Sequence, residues 1–132
     1  MIEVRIYTPE GSYATIPNVK KMEVDTTDGQ RGILPGHMSI VLMLEIGTLE
    51  LETTEHLTYT IAGGMLYFEH DVATVLSDAV EDVKTLDLER AEQAKQRAEK
   101  RLADKDPDLD IKRATLALNK ALNRLKVGHK YQ

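Results

Sequence analysis

The chain of 132 residues has no cysteine and no tryptophan. Without a thiol there is no disulfide framework, no thiolate nucleophile and no cysteine metal ligand. A single phenylalanine is present, so any core has to be built from aliphatic side chains. No apolar run approaches the roughly 18 residues of a membrane-crossing helix. The opening Met1-Ile2-Glu3-Val4-Arg5 does not read as a secretory signal. These absences lead us to expect a protein on the cytosolic side. The length fits one ordinary domain, or one compact domain with an appendage. At this size roughly two thirds of the unfolded surface is buried on folding, enough for a core.

Charge is not scarce, but it is unevenly placed. The net charge is −5. Residues 1–84 carry 5 Lys/Arg against 14 Asp/Glu, and residues 85–132 carry 12 against 8. The front is therefore −9 and the back +4. Seven of the eight glycines precede residue 85, and seven of the eleven alanines follow it. Composition, charge sign and turn content switch together, which places a domain boundary between 1–84 and 85–132.

The front segment reads as strands. Ile2-Glu3-Val4-Arg5-Ile6-Tyr7 alternates with period two, and Thr8-Pro9-Glu10-Gly11-Ser12 is turn chemistry. Tyr13–Ile16 and Met22–Asp25 are short runs of the same kind, and 26–32 is a turn cluster. Ser39–Leu44, Gly47–Glu52, His56–Ile61, Met65–Glu69 and Val72–Leu76 follow, with Gly63-Gly64 as a break. The pattern predicts about eight to ten short strands, each with one apolar face, in a sandwich or flattened barrel.

Catalytic chemistry is sparse in that segment. His37, His56 and His70 stand singly, without metal-ligand spacing. There is no Gly-x-Ser-x-Gly elbow. Gly63-Gly64 and Gly29-x-x-Gly32 lack the Lys and following helix of a phosphate loop and read as tight turns. An exposed apolar patch for a protein partner is compatible with the strands, but nothing in the sequence locates it.

The back segment reads as two helices. Leu86-Asp87-Leu88-Glu89-Arg90-Ala91 opens the first, with Asp87 placed to cap it, and Leu109-Asp110-Ile111-Lys112-Arg113-Ala114 opens the second in the same way. The first runs to about Ala103 and the second from about Asp110 to Val127, with Gly128 as a natural stop. Residues 104–108 with Pro107 form the break. Ala91, Ala94, Ala98 and Leu102 share one face, as do Ile111, Ala114, Leu118, Ala121 and Leu125. This predicts an antiparallel hairpin with an alanine-rich seam, which buries little area per contact. Such a hairpin is marginal without a partner and therefore movable.

Arg90, Arg97 and Arg101 recur at i, i+7 and i+11, and Arg113, Lys120 and Arg124 do the same. For a charge stripe by itself a solvated helix face is the leading reading. The functional alternative is an anion site for a nucleoside triphosphate, an acidic protein loop or nucleic acid. Nucleic acid is the weakest of these, because the front is acidic and no aromatic residue interleaves with the cations.

Three features coincide: Gly32-Ile33-Leu34-Pro35-Gly36-His37, the Gly63-Gly64-x-Leu66 strand entry, and Leu86–Ala91 ahead of alanine-rich helices ending Ala121-Leu122-Asn123-Arg124-Leu125. With these the whole chain resembles the epsilon subunit of bacterial F-type ATP synthases. The resemblance implies an N-terminal flattened β-sandwich of two sheets followed by a C-terminal antiparallel two-helix hairpin. It implies a peripheral location on the cytoplasmic side of the cell membrane, without direct insertion. It further implies docking on the gamma subunit and the c-ring, and a hairpin that extends toward the alpha/beta head, where acidic loops of beta meet it, to oppose ATP hydrolysis.

In nucleotide-binding members of that family the Ile/Leu-Asp-x-x-Arg-Ala motif holds ATP in the folded-down state. Leu86, Asp87, Arg90 and Ala91 match that motif, Glu81 matches an acidic position, and Arg97 and Arg124 match basic ones. Lys120 departs from the Arg carried by binding versions and loses the guanidinium fork. On this reading ATP is a regulatory ligand rather than a substrate, with no catalytic residue and no protein metal site, and a part for Mg²⁺ is left open. The second motif copy reads as a helix start. The rivals are the same subunit acting as an adaptor without nucleotide, and a small metal-dependent β-barrel enzyme, which would need clustered His and carboxylates.

Overall fold

The computed structural model describes residues 1–103 and 110–131, so the break at 104–108 lies outside the described residues. The chain divides into two units, Met1–Asp82 and Val83–Gln132. The composition switch at 84/85 falls slightly later than this division. Val83 is buried with Leu86 and Val127, so the short 3-10 turn Val83–Thr85 belongs with the helices.

In the first unit alternation makes strands. They are β1 (Ile2–Thr8), β2 (Gly11–Val19), β3 (Lys21–Thr26), β4 (Gly29–Ile33), β5 (Ile40–Glu52), β6 (His56–Glu69), β7 (Val72–Leu76) and β8 (Val80–Asp82). Their order is β2-β1-β7-β6-β5-β3-β4, with β8 also on β6. β1 and β7 run parallel, Glu3 facing Val72 and Tyr7 facing Leu76; the other pairs are antiparallel. The strands form a β-sandwich whose core is aliphatic apart from Tyr59 and Phe68, and Phe68 is fully buried with Ile2, Ile6, Met22, Leu49 and Leu66. Pro17 sits in β2, at the end of the strand order, where a missing N–H costs no ladder bond.

The expected run of short strands changes at two places. Ser39–Leu44 and Gly47–Glu52 merge into β5 of 13 residues, and the stretches on either side of Gly63-Gly64 merge into β6 of 14. The glycines are not a chain break but the point where the buried face changes parity. Tyr59 and Ile61 are buried before them, Leu66 and Phe68 after. In β5 the same change separates Leu42 and Leu44 from Leu49 and Leu51. A strand that turns over in this way serves both layers, which is why the hydrogen-bonded ladder is continuous rather than two separate sheets. Gly64 has φ +113°, and a Cβ there would lie 1.9 Å from the Leu76 carbonyl oxygen. On the facing strand Asp25 covers Gly47, its Oδ2 accepting from the Thr48 N–H at 2.9 Å.

The Gly32–His37 stretch is anchored to the β6–β7 turn. The Gly36 N–H donates to Asp71 Oδ1 at 2.7 Å, and the His37 N–H donates to the Leu34 carbonyl at 3.1 Å. The His37 ring stands edge-on to Phe68, with centroids 5.9 Å apart.

The second unit holds α1 (Leu88–Ala103) and α2 (Ile111–Tyr131). Leu88, near the start of α1, meets Gly128, near the end of α2, while Ala98 shares a cleft with Ala114 and Ala117. The helices are therefore antiparallel. Ala91, Ala98, Ala114 and Ala121 are buried along the seam. Two expectations are corrected. Ile111 is 65% exposed and outside the seam. Gly128 does not stop α2; it is a buried position inside the helix, and a Cβ there would fall 2.2 Å from Leu88 Cδ2.

Candidate functional site

The motif Leu86–Ala91 is held by its own backbone. Asp87 Oδ1 accepts the Arg90 N–H at 2.9 Å, and the Asp87 carbonyl accepts the Ala91 N–H at 3.0 Å. The carboxylate thus satisfies a donor that the first turn leaves without an intrahelical partner. Leu86 is buried beside Val83 and Val127, and Ala91 is buried in the seam. The motif's two apolar members therefore fix the start of α1, and its two charged members remain at the surface: Asp87 and Arg90 are both exposed.

The second copy has the same geometry. Asp110 Oδ1 accepts the Arg113 N–H at 3.0 Å, and the Asp110 carbonyl accepts the Ala114 N–H at 3.0 Å. Both copies are helix starts, so capping alone does not set the first apart.

The other cations are distributed along the hairpin. Lys120 and Arg124 are half-buried on α2, flanking the buried Ala121. The register that seats Leu88 on Gly128 puts Arg90 within about 3 Å of the level of Arg124, and Lys120 about 9 Å from Arg90 along the axis, near the level of Arg97. Arg97 lies about two turns further along α1 than Arg90. It lies at the rim of a cleft of about 640 Å³ with Lys100 and Arg101, over Ala94, Ala98, Ala114 and Ala117. Lys100 was not singled out by periodicity, because it falls outside the Arg90–Arg97–Arg101 stripe. Glu81 sits in β8 of the first unit, paired across to Thr60. Among the described residues there is no group of three or more His, Asp or Glu that could hold a metal ion.

The first unit presents a surface that alternation concealed. Val41, Met43, Tyr67 and Leu76 are exposed. Val41 faces Tyr67 across β5–β6, and Met65 faces both Met43 and Leu76. Beside them a groove of about 540 Å³ is lined by Tyr7, Pro9, Met43, Met65 and Leu76 among others. The only hint in the sequence was a run, Ile40–Leu44, apolar at both parities.

A β-sandwich unit is thus followed by a unit of two antiparallel helices with an alanine seam. Residues 1–83 match the family model for the ATP synthase delta/epsilon chain β-sandwich domain, and residues 84–128 match the one for the long α-helix domain. The ATP synthase epsilon chain of Bacillus cytotoxicus is 40% identical over 127 residues, covering 96% of this chain and 95% of the relative. That of Caldicellulosiruptor bescii is 40% identical over 127 residues, covering 96% and 92%. Among solved structures, a chain of the Euglena gracilis mitochondrial ATP synthase superposes with a TM-score of 0.79 at 22% identity, covering 92% of this chain and 78% of that one. A chain of the Tetrahymena thermophila enzyme's central stalk and c-ring superposes with a TM-score of 0.64 at 16% identity, covering 98% and 94%. These two likenesses speak to the fold.

The chain belongs to the ATP synthase delta/epsilon family. Within it, this chain is of the epsilon type, a non-catalytic subunit of the enzyme's stalk.

Proposed function

We propose that this chain couples and regulates rotation in a proton-translocating F-type ATP synthase, as a rotor subunit held peripherally on the cytoplasmic side of the membrane. Residues 1–84 dock on the gamma subunit and the c-ring. The groove lined by Met43, Met65 and Leu76, with the exposed Val41 and Tyr67 beside it, supports that role, since a contiguous apolar face marks a surface for a partner. Residues 85–132 form the regulatory hairpin, which extends toward the alpha/beta head and acidic loops of beta to oppose hydrolysis, and folds down when ATP is bound.

The observation that carries the nucleotide reading is the pairing of levels at the hairpin base. Asp87 uses one carboxylate oxygen as the cap, and Arg90 and Arg124 lie at about the same height on facing helices. A guanidinium fork on each side suits phosphate oxygens. The second Asp87 oxygen is free of the cap bond and suits an adenine amino group. Lys120 adds a point charge and Arg97 a further fork. ATP here is a signal. At about 100 times its dissociation constant it favours the folded-down form by about 2.7 kcal/mol. Inverting a 1:99 population needs about 5.5 kcal/mol, so ATP biases the hairpin without locking it.

Calorimetric titration of the full chain with ATP tests this. A saturable heat is expected, weakened by about 1.5–3 kcal/mol in Arg90→Ala. No saturable heat at millimolar ATP leaves the second reading, an adaptor that couples and assembles without nucleotide. That reading is favoured by the Asp110–Arg113 cap, which reproduces the Asp87–Arg90 geometry at a plain helix start.

A further inference from the structure

The strand order ends on β2 and β4, but it conceals a further edge. β3 pairs with β5 at Leu44 and over Leu49–Glu52, and not over Ile40–Met43. Along those four residues β5 has only β6 beside it, Ile40 facing Phe68 and Met43 facing Met65. One hydrogen bond fixes which backbone groups point away from β6. The Met43 carbonyl accepts the Thr27 N–H at 3.0 Å, so it is turned from β6. In an antiparallel strand the N–H and C=O of one residue share a side, and the side alternates along the chain. The Met43 N–H and the Val41 N–H and C=O therefore point outward, while Ile40 and Leu42 bond to β6. Among the described residues these three outward groups have no hydrogen-bonding partner.

Sheet edges are ordinarily guarded by charge, proline or shortness. β2 holds Pro17, β4 holds Arg31 within five residues, and β8 has three residues. The β5 edge carries Val41 and Met43, 55% and 57% exposed, with neither charge nor proline from Ile40 to Leu44. Its side chains run on into the apolar groove along Met65 and Leu76, where Asp78 is the one charged lining residue. The exposed Glu45 follows on the strand.

We infer that the partner docking on this face adds an extended segment to β5 and pairs its backbone with Val41 and Met43. The inference deepens the gamma-docking reading and rests on it, so the occupant is a strand of gamma. Against an antiparallel strand Val41 exchanges two hydrogen bonds with one residue, and the Met43 N–H donates to a carbonyl two residues away. Alternate side chains of the added strand lie beside Val41 and Tyr67, which selects apolar ones. A lysine or arginine at its end near Glu45 and Asp78 meets charge of opposite sign. A helix laid on the same face covers the apolar side chains but leaves the three backbone groups unpaired.

The test is amide hydrogen exchange of the full chain, free and with the gamma subunit, alongside affinity for gamma. Exchange at Val41 and Met43 should slow by about tenfold or more on binding. Val41→Pro removes one outward N–H and no ladder bond to β6, and should weaken gamma binding on the order of tenfold. Val41→Thr keeps that N–H and a β-branched side chain, and should bind within about threefold of wild type. Should the proline variant fail to fold, exchange in the wild type still decides. Binding of gamma with unchanged exchange at both amides, or full affinity in a folded Val41→Pro, overturns strand addition and leaves docking by side chains alone. No binding of gamma by the wild type overturns the docking reading and this inference with it.

Discussion

Leu88 Cδ2 lies 2.2 Å from the point a Cβ would occupy on Gly128. The first turn of α1 is seated on bare backbone of α2, and this contact sets the register of the hairpin. Two effects compete when Gly128 is replaced. Alanine gains about 0.8–1 kcal/mol of helix propensity over glycine, while the Leu88 methyl, the far end of a flexible side chain, has to turn aside. Gly128→Ala should therefore change hairpin stability by less than about 1 kcal/mol. Gly128→Val adds bulk with no such escape and should destabilise by about 1–3 kcal/mol. Helical circular dichroism melts check both, and equal melts for the two variants would refute the seating.

The two aspartate caps are predicted to be equivalent in stability and distinct in function. Asp87→Ala and Asp110→Ala each remove one carboxylate acceptor at a helix start. Each should lower helix stability by about 1 kcal/mol, and Asn at either position should restore most of it. Amide exchange at Arg90 and Arg113 reads this directly. In an ATP titration only the Asp87 variant should lose heat; a matching loss at Asp110 would contradict the assignment of the first copy.

The parity change in β6 makes a graded prediction for its glycines. At Gly64 a Cβ would meet the Leu76 carbonyl oxygen at 1.9 Å with φ +113°, so backbone has to move. Gly64→Ala should cost about 3 kcal/mol or more. At Gly63 the nearest atom is the Leu44 carbonyl oxygen at 3.5 Å with φ +76°, so only the backbone conformation resists. Gly63→Ala should cost about 1–2 kcal/mol. Denaturant midpoints of the two variants are the measurement, and the reverse order would show that the strand turns over elsewhere.

Alkaline pH should loosen the sandwich. Tyr59 is buried, and burial, with the Asp82 carboxylate second, raises its phenol above the ordinary value of 10.0. Tyr13, whose ring meets it edge-on at 6.2 Å, is raised by burial as well, partly offset by a backbone hydrogen bond at Asp82. A phenol whose folded value lies above its unfolded one binds its proton more tightly in the folded state. Its contribution is complete below the unfolded value and is lost as pH rises through the folded one. Melting temperature should fall above about pH 10, and the fall should be shallower in Tyr59→Phe. A flat alkaline profile in the wild type would refute this.

Much of the architecture was legible because it is local. Both helix starts were read from an aspartate three residues ahead of the amide it caps, and the caps formed as expected. Strand period and the absence of Trp and Cys pointed to an aliphatic β-core, and Phe68 and Tyr59 are the aromatic side chains buried in it. Gly63-Gly64 was misread as a break because a positive-φ pair in mid-strand has the same local signature as a turn. Gly128 was misread as a stop because close helix approach and helix termination call for the same residue. The exposed Met43 and Val41 were hidden because both parities of their run are apolar.

The sequence alone determined where strands give way to helices, where each helix begins, and which stretch carries the Asp87–Arg90 pair. Those features rest on interactions within four or five residues along the chain. Only the tertiary structure decided that β1 runs parallel to β7, that β5 and β6 turn over to serve both layers, that Leu88 sits on Gly128, and that Arg97, Lys100 and Arg101 overhang an alanine trough. Each of these depends on the distance and register between segments far apart in the chain, which local periodicity does not encode.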